Sequence, residues 1–260
     1  MAPRPTFPPP DPAPGLAPGL ARGLAPLAHA ERRPMPKAPR FQDLAFTRPS
    51  SAGRPVQTAS KANCVGHLVC GPGPGRVLQV ESHLERQVAL VWLARPDTAE
   101  LEEQVPFAWR EAAGRPKTHF FDFRVTRIDG TAVALAVKPV ADLHRNGFLD
   151  GMRRIAAHVT DAFAEEVRVI TEHDIDPVAL HNAELFNALR APDPEADAAA
   201  EAATATLVGA ATLSDLAARI GLGPRGLRAL VRRVAQHRLR PLRHERITPQ
   251  TLVQPKETRP

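Results

Sequence analysis

One run of residues sets the architecture expected of this chain: His119-Phe-Phe-Asp-Phe-Arg-Val-Thr-Arg-Ile-Asp-Gly-Thr-Ala-Val-Ala-Leu-Ala-Val-Lys138. An aromatic and β-branched segment, an Asp-Gly pair and a second apolar segment predict a β-hairpin. Because side chains alternate across a strand, we expect Phe121 and Phe123 on one face and Asp122 on the other. Burial does not explain an acid within one apolar strand and Lys138 at the end of the next. These two charges predict either a structural ion pair or a functional site.

An acidic helix is expected before this hairpin. Residues 81–93 carry apolar side chains at helical spacing, and Glu81 and Glu85, four residues apart, stack on one face. Residues 102–110 then form a plausible strand. The expected order is therefore a helix with an acid, a strand, a strand with Asp122 and a strand that ends at a lysine.

Several short motifs in this order resemble the TnsA-type transposon endonucleases of the PD-(D/E)xK, restriction-endonuclease-like superfamily. The resemblance covers roughly residues 76–190 and depends on the order of the motifs more than on any one of them. The motifs are Ser82-x-Leu-Glu85, Glu103-Gln104-x-Pro106, His119-Phe-Phe-Asp122-Phe, Val137-Lys138-Pro139, Val169-Ile-Thr-Glu-His-Asp-Ile175 and His181-Asn-Ala183.

The resemblance implies an α/β fold with a mixed sheet flanked by helices, and it implies a catalytic site. The catalytic positions of the family fall on Glu85, Asp122 and Lys138. Mg²⁺ or Mn²⁺ would be held by Glu85, Asp122 and the Val137 carbonyl, because such ions take hard oxygen ligands and keep several waters. The lysine would orient the attacking water and offset the charge that develops on the phosphate.

One position departs from the family pattern. Where the family has Glu or Gln two residues before the lysine, this chain has Ala136. Alanine offers no ligand, so metal binding is expected to be weaker, although Glu81 could supply the missing oxygen. Two alternatives follow: an active endonuclease, or a catalytically degenerate relative that holds DNA.

The charge of the chain is concentrated at its ends. The formal net charge is +6, but residues 219–260 hold 11 Lys/Arg against 2 Asp/Glu, whereas residues 61–218 hold 15 against 23. This distribution favours a nucleic-acid partner contacted through the C-terminal region. No apolar run reaches membrane-spanning length, and we expect a soluble cytoplasmic protein.

The composition also predicts where the domains begin and end. Residues 1–60 contain half of the 28 prolines and are expected to form a disordered Pro-rich arm. The endonuclease-like domain is expected at 61–190, a linker at 191–211 and a winged helix-turn-helix domain at 212–255. The Pro/Asp/Glu/Ala-rich part of the linker, residues 191–202, could run into a helix through Ala211.

The C-terminal prediction depends on helix signals. Ser214 is a fair N-cap, Gly221 ends the first helix and Pro224 begins the second. Residues 239–247 could then form the strands of a wing. If this region binds DNA, arginines on the second helix would contact it; a surface for an ATPase partner and a basic structural cap are the alternatives. The predicted DNA-binding residues are Arg225, Arg228, Arg232 and Arg233.

The function implied by the resemblance is Mg²⁺-dependent nicking of DNA at the 5′ ends of a transposon during cut-and-paste transposition. Members of the family act with a DDE-type transposase, which cuts the other strand, and with an AAA+ ATPase regulator. The alternatives are a non-catalytic DNA-binding or assembly subunit of such a complex, and a regulator that uses only the winged helix.

Overall fold

The computed structural model describes residues 46–54, 66–111 and 114–256. Its first part, the sheet region at 66–190, begins with a β-hairpin and continues as alternating strands and helices. In chain order these elements are β1 (Gly66–Cys70), β2 (Arg76–Val80), α1 (His83–Leu93), β3 (Thr98–Arg110), β4 (Pro116–Arg127), β5 (Ala132–Val137), α2 (Phe148–Ala156), β6 (Glu166–Ile170) and α3 (Pro177–Ala188).

A mixed four-stranded sheet forms the centre of this region, in the order β3-β4-β5-β6. The β3–β4 and β4–β5 pairs are antiparallel, and the β5–β6 pair is parallel. The hairpin predicted at Asp129-Gly130 is confirmed as the β4–β5 connection, where Gly130 has a φ of 88° that suits a residue without a side chain. The predicted mixed α/β architecture is therefore present.

Helices pack on both faces of the sheet. On the face covered by α1, the core contains Phe123 and Leu135 with Val88 of the helix. On the face covered by α2, Phe121 packs with Met152 and with small residues of β5. Removing a large apolar side chain of this kind from water stabilises the fold by roughly 1.5–3 kcal/mol.

Residues 46–54 belong to the folded body and not to an arm. Arg48 forms a parallel bridge with Arg76 at the start of β2. Gly53 donates its N–H to the Gln104 carbonyl and lies so close to β3 that an added Cβ would be 2.6 Å from Pro106 Cδ. The prediction of a disordered arm over 1–60 is therefore wrong for 46–54; residues 1–45 and 55–60 lie outside the described residues.

The C-terminal region at 194–256 has its own small sheet and core. Its strands are antiparallel, in the order β7-β9-β8. The elements are α4 (Pro194–Ala205), β7 (Ala211–Thr212), α5 (Leu213–Ile220), α6 (Pro224–Ala235), β8 (Leu239–Pro241) and β9 (Leu252–Pro255). None of the helices that the structure describes combines the length and the apolar character that a membrane span requires.

Most of the segment expected as a linker at 191–211 is helical, which was the alternative that its alanines left open. Asp193 caps α4 by accepting from the Ala196 N–H, and Ala196 and Ala200 are fully buried in the core shared with α5 and α6. Alanines allow a close approach between helices, so this segment packs although it has no large apolar residue.

The signals that begin and end the next two helices are mostly confirmed. Gly221 ends α5 with a φ of 73°, and Pro224 is the first residue of α6. The N-cap prediction was wrong by two residues, because the Thr212 hydroxyl, and not that of Ser214, accepts from the Asp215 N–H.

Candidate active site

Glu85 lies in the first turn of α1, where its carboxylate is held by the start of its own helix. Its Oε2 accepts from the Glu81 N–H at 2.7 Å, and its Oε1 accepts from the Ser82 hydroxyl at 2.9 Å. The Ser82 hydroxyl in turn accepts from the Glu85 N–H, an arrangement close to a capping box. The side chain is only 7% exposed, and this burial raises its pKa. Glu85 therefore stabilises the helix whether or not it has a second role.

The inside–outside alternation of β3 and β4 reverses at two facing residues, Gln104 and Asp122. Arg124 stacks on Phe163 on the α2 side, and Phe121 packs on that same side. In a regular strand these two residues, three apart, would lie on opposite faces. Phe123 packs on the α1 side, so the expectation that Phe121 and Phe123 share a face was wrong.

On β3 the reversal has a visible backbone cause. Gln104 has a φ of 51°, a left-handed conformation uncommon for a residue other than glycine. Irregularities of this kind turn a side chain away from the face that simple alternation gives it, and they concentrate near functional sites.

The reversal turns Asp122 towards the chain at the end of β5. The β4–β5 ladder ends at the Phe123–Leu135 pair, and beyond it Asp122 Oδ2 accepts from the Val137 N–H at 2.6 Å. Burial, and after it the negative charge of Glu85, raises the pKa of Asp122 to about 7. Two carboxylates from distant parts of the sequence are thus neighbours.

Lys138 follows directly after β5, and its ammonium lies on the α2 side. Its N–H donates to the Ile170 carbonyl at 2.9 Å, and its Nζ is 5.5 Å from the centre of the Phe148 ring, within cation–π range. Among the described residues no ion pair joins Lys138 to Glu85 or Asp122. The structure therefore brings together Glu85, Asp122 and the Val137 backbone, while the lysine ammonium is engaged elsewhere.

Ala136 is buried on the α2 side of β5, where it packs in the same core as Met152. Its methyl group provides no oxygen ligand. The position at which the family has its second polar residue is thus filled here by apolar packing.

Arg54 is a site residue that the sequence did not reveal. Its Nη2 is 3.0 Å from Glu81 Oε2, and its Nε donates to Gln104 Oε1 at 2.8 Å. Its guanidinium also lies 5.2 Å from the centre of the Phe120 ring. Its positive charge acts to lower the pKa of Asp122 and of Glu85. No local pattern marks Arg54, which lies in a proline-rich stretch far from the acids that it meets.

Gln104 is buried beside this guanidinium, with 1% of its surface exposed. Its side-chain carbonyl accepts from Arg54, but its amide nitrogen has no hydrogen-bond partner within the part of the chain that the structure describes. Leaving a buried donor unsatisfied costs about 1–3 kcal/mol. Because this nitrogen has almost no accessible surface, the cost falls on the fold itself.

Glu103, the neighbour of Gln104, has a structural role. It is fully buried, its Oε1 accepts from the Ser50 hydroxyl at 2.5 Å, and its Oε2 accepts from Arg76 at 2.5 Å. These contacts hold residues 46–54 against β2 and β3. Glu103 thereby fixes the segment that carries Arg54.

The charges at this site suit a cation, with a limited ligand set. The negative charge of Glu85 disfavours the ionised form of Asp122, a cost that a divalent ion would relieve, and the oxygens of both carboxylates are the hard donors that Mg²⁺ and Mn²⁺ take. Across the described residues no three Asp, Glu, His or Cys side chains form a metal-binding group. An ion here would therefore depend on two carboxylates, backbone oxygen and water.

The arginines expected to contact DNA from α6 are mostly engaged within the protein. Arg225 donates to Asp193 twice, at 2.7 Å each, and also to Glu195. The buried Arg232 donates to Asp197 at 2.7 Å, and Arg233 is 3.9 Å from Glu201 with 18% of its side chain exposed. Of the four, only Arg228 is exposed without an ion pair in the described part of the chain.

No protein-family model matches this chain, and no curated protein matches it in sequence. Function is therefore inferred from the geometry of these residues and from the order in which the chain supplies them. The structure places two neighbouring carboxylates close to an arginine and a buried side-chain amide.

Proposed function

We propose that this protein is a TnsA-like, metal-dependent DNA endonuclease that nicks the 5′ ends of a transposon during cut-and-paste transposition. The observation that carries the proposal is the meeting of Glu85 and Asp122, 37 residues apart in the sequence, where burial and the negative charge of Glu85 raise the pKa of Asp122. A structural ion pair would join opposite charges. Two neighbouring acids indicate a place for a cation.

The fold proposed with this function is restriction-endonuclease-like, with a C-terminal winged helix. The mixed sheet supports the first part, because an acid at a helix start, an acid on β4 and a lysine after β5 come in the order that the resemblance implies. The second part is supported by the order of a helix, a short strand, two helices and two strands closing a three-stranded sheet.

In the proposed mechanism, Glu85 and Asp122 would hold Mg²⁺ or Mn²⁺ with the Val137 carbonyl and water. When bound, the ion lowers the pKa of a water and neutralises charge on the scissile phosphate. The Val137 N–H fixes the Asp122 carboxylate in one orientation. Rotation of the Lys138 side chain away from Phe148 would bring its ammonium towards the attacking water.

A plasmid nicking assay in Mg²⁺ or Mn²⁺ tests the proposal. We expect the wild type to nick DNA carrying transposon ends, and Asp122→Asn and Lys138→Ala to lose at least a hundredfold in rate. The matched control is Asp161→Asn, which removes an exposed acid away from the site and should nick normally. Absence of nicking by the wild type with either ion and its partner proteins would refute the assignment.

Three observations favour a second candidate, a non-catalytic DNA-binding or assembly subunit. Ala136 packs in the core, Lys138 lies over Phe148, and both Glu85 oxygens accept hydrogen bonds from the start of α1. Calorimetric titration with Mg²⁺ and Mn²⁺ separates the two candidates. If the wild type and Asp122→Ala bind these ions equally poorly and neither nicks DNA, the endonuclease proposal fails and the second candidate remains.

The partners proposed with this function follow from the resemblance. They are transposon-end DNA, a DDE-type transposase that cuts the other strand and an AAA+ ATPase regulator, all meeting the protein in the cytoplasm. A regulator acting only through the C-terminal region is a weaker candidate, because it gives no role to Glu85 and Asp122. Co-purification of the tagged transposase and ATPase with this chain checks the partner assignment.

A further inference from the structure

The two strands that close the C-terminal sheet present one ordered surface to solvent. Leu239 and Val253 point into the core, so the alternate residues of β8 and β9 face outward. The pairing Arg240–Gln254 continues in both directions, since the Lys256 N–H donates to the Arg238 carbonyl and the Leu242 N–H to that of Leu252. We call this surface the wing face; it consists of Arg238, Arg240, Leu242, Leu252, Gln254 and Lys256.

The charges on the wing face are not balanced within the protein. Arg238 and Lys256 lie directly opposite each other, an arrangement that destabilises an antiparallel pair. Neither forms an ion pair within the described residues. The effect reaches the half-buried His237, whose pKa is lowered by burial and then by the charge of Lys256. Unfavourable like charges kept at a surface indicate an anionic partner.

The loop that joins the two strands adds two more cations in a fixed position. Asn182 of α3 donates to the Glu245 carbonyl and accepts from the Ile247 N–H, both at 2.9 Å. Arg246, between these two anchored residues, is exposed, and Arg243 is exposed as well. A loop held at both sides loses less conformational entropy on binding, so its arginines are preorganised for a ligand.

Two leucines extend the wing face beyond its cations. Leu242 and Leu252 are adjacent across the strands and are 46% and 41% exposed. A surface that places apolar side chains next to arginines matches duplex DNA, in which apolar sugar edges run beside charged phosphates. Proteins that bind the minor groove commonly combine arginine or lysine with apolar side chains such as leucine, which they insert between base steps.

We propose that the wing face, with Arg243 and Arg246, is the surface through which this protein binds duplex DNA, and that α6 has mainly a structural role. Three of the four arginines of α6 pair with acids of α4 or its N-cap, whereas the cations of the wing face have no acid to pair with among the described residues. The inference depends on the proposed function only in naming DNA as the ligand. It does not require cleavage.

Fluorescence anisotropy of a labelled DNA duplex with the full chain, in EDTA and over a range of salt, tests this inference. We expect Arg243→Ala/Arg246→Ala to weaken binding at least tenfold. The slope of log affinity against log salt should fall by about 2, because each phosphate contact contributes roughly 0.9. Leu242→Ser should weaken binding without changing that slope. EDTA keeps the result independent of any metal-dependent cleavage.

The matched control is Arg219→Ala/Arg228→Ala, which removes the same charge from exposed positions on α5 and α6. We expect it to bind within about twofold of the wild type. Thermal melting checks that each variant is folded. The inference is overturned if this control loses as much affinity as the loop variant, or if the loop variant binds like the wild type. Binding of duplex RNA as tightly as duplex DNA, through the same arginines, would overturn the assignment of DNA.

Discussion

At Asp122, burial and a neighbouring charge act in the same direction on one carboxyl group. Both favour the protonated form, and the Val137 N–H opposes them with a single hydrogen bond. The result is a pKa of about 7, so the charge of this residue changes in the range where the protein would work. The side chain is consequently sensitive both to pH and to a bound cation.

The raised pKa predicts a pH-dependent stability. The folded state binds the Asp122 proton more tightly than the unfolded chain, so this contribution is fully present below the ordinary pKa of 3.8 and is lost as the pH rises towards 7. Each pKa unit corresponds to about 1.4 kcal/mol, an upper limit here because the side chain is partly exposed. Glu85 acts in the same direction.

Urea unfolding of the wild type and of Asp122→Asn at pH 5 and pH 8 measures this effect. The wild type should lose more stability than the variant between the two pH values. Added Mg²⁺ at pH 8 should restore part of the loss in the wild type only. Asp161→Asn should behave like the wild type. Equal pH dependence in the wild type and Asp122→Asn would show that this carboxyl group is not perturbed.

Arg54 provides a positive charge next to the two acids, Glu85 and Asp122. Replacing it with alanine removes the contact between Arg54 and Glu81 and an interaction that lowers the pKa of Asp122. We expect Arg54→Ala to be less stable than the wild type at both pH values, and the difference to be larger at pH 8 than at pH 5. Added Mg²⁺ should stabilise the variant more than it stabilises the wild type. Arg54→Lys keeps the charge and should recover most of the pH 8 loss. A loss of the same size at both pH values would mean that Arg54 acts only through packing.

Among the elements, those fixed by local chemistry could be predicted from the sequence. The hairpin at Asp129-Gly130 depends on a turn signal, and the end of α5 at Gly221 depends on a left-handed residue. The acidic helix was evident from its apolar spacing, and Glu85 and Asp122 were found through motif order.

Other features depend on contacts between distant parts of the chain. Nothing near Gln104 in the sequence indicates its positive φ, and Arg54 joins the site only because residues 46–54 pack on β3. The sequence left open whether the linker contains a helix, because the alanines of α4 are buried only through their packing with α5 and α6. These features are set by tertiary structure, which local periodicity does not encode.

The segment that carries Arg54 depends on one close approach. A Cβ at Gly53 would lie 2.6 Å from Pro106 Cδ and 2.8 Å from the Gln104 carbonyl oxygen. We therefore expect Gly53→Ala to displace this segment and to destabilise the protein by about 1–3 kcal/mol. Urea unfolding measures the change, and faster proteolysis within 46–54 locates it.

Gly151 provides the matched control for this substitution. It lies inside α2, and the nearest atom to an added Cβ is 4.0 Å away, at the end of the Arg154 side chain. The same change there should stabilise the protein by about 0.5–1 kcal/mol, because alanine favours a helix more than glycine does. If both variants lose stability equally, the cost at Gly53 does not come from its contact with β3.

On the scale of the whole molecule, α3 connects the sheet region to the proposed DNA-binding surface. Asn182 holds the loop between β8 and β9 on both sides of Arg246, and Asp176 contacts His244 at 3.0 Å. The orientation of the wing face relative to Glu85 and Asp122 is therefore set by direct contacts. DNA held by that face would keep a fixed relation to the carboxylates.

Removing the Asn182 contacts should weaken DNA binding without removing any charge. In Asn182→Ala the loop keeps Arg243 and Arg246 but loses both anchoring hydrogen bonds. The loop would then lose conformational entropy when DNA binds, and this loss lowers the affinity. We expect a severalfold weaker affinity with an unchanged salt slope, and faster hydrogen exchange across residues 243–247. Asn187→Ala, in the same helix, is the control and should alter neither property. A reduced salt slope in Asn182→Ala would mean that phosphate contacts themselves are lost. In that case Asn182 would position the arginines, and its role would not be limited to lowering the entropic cost of ordering the loop.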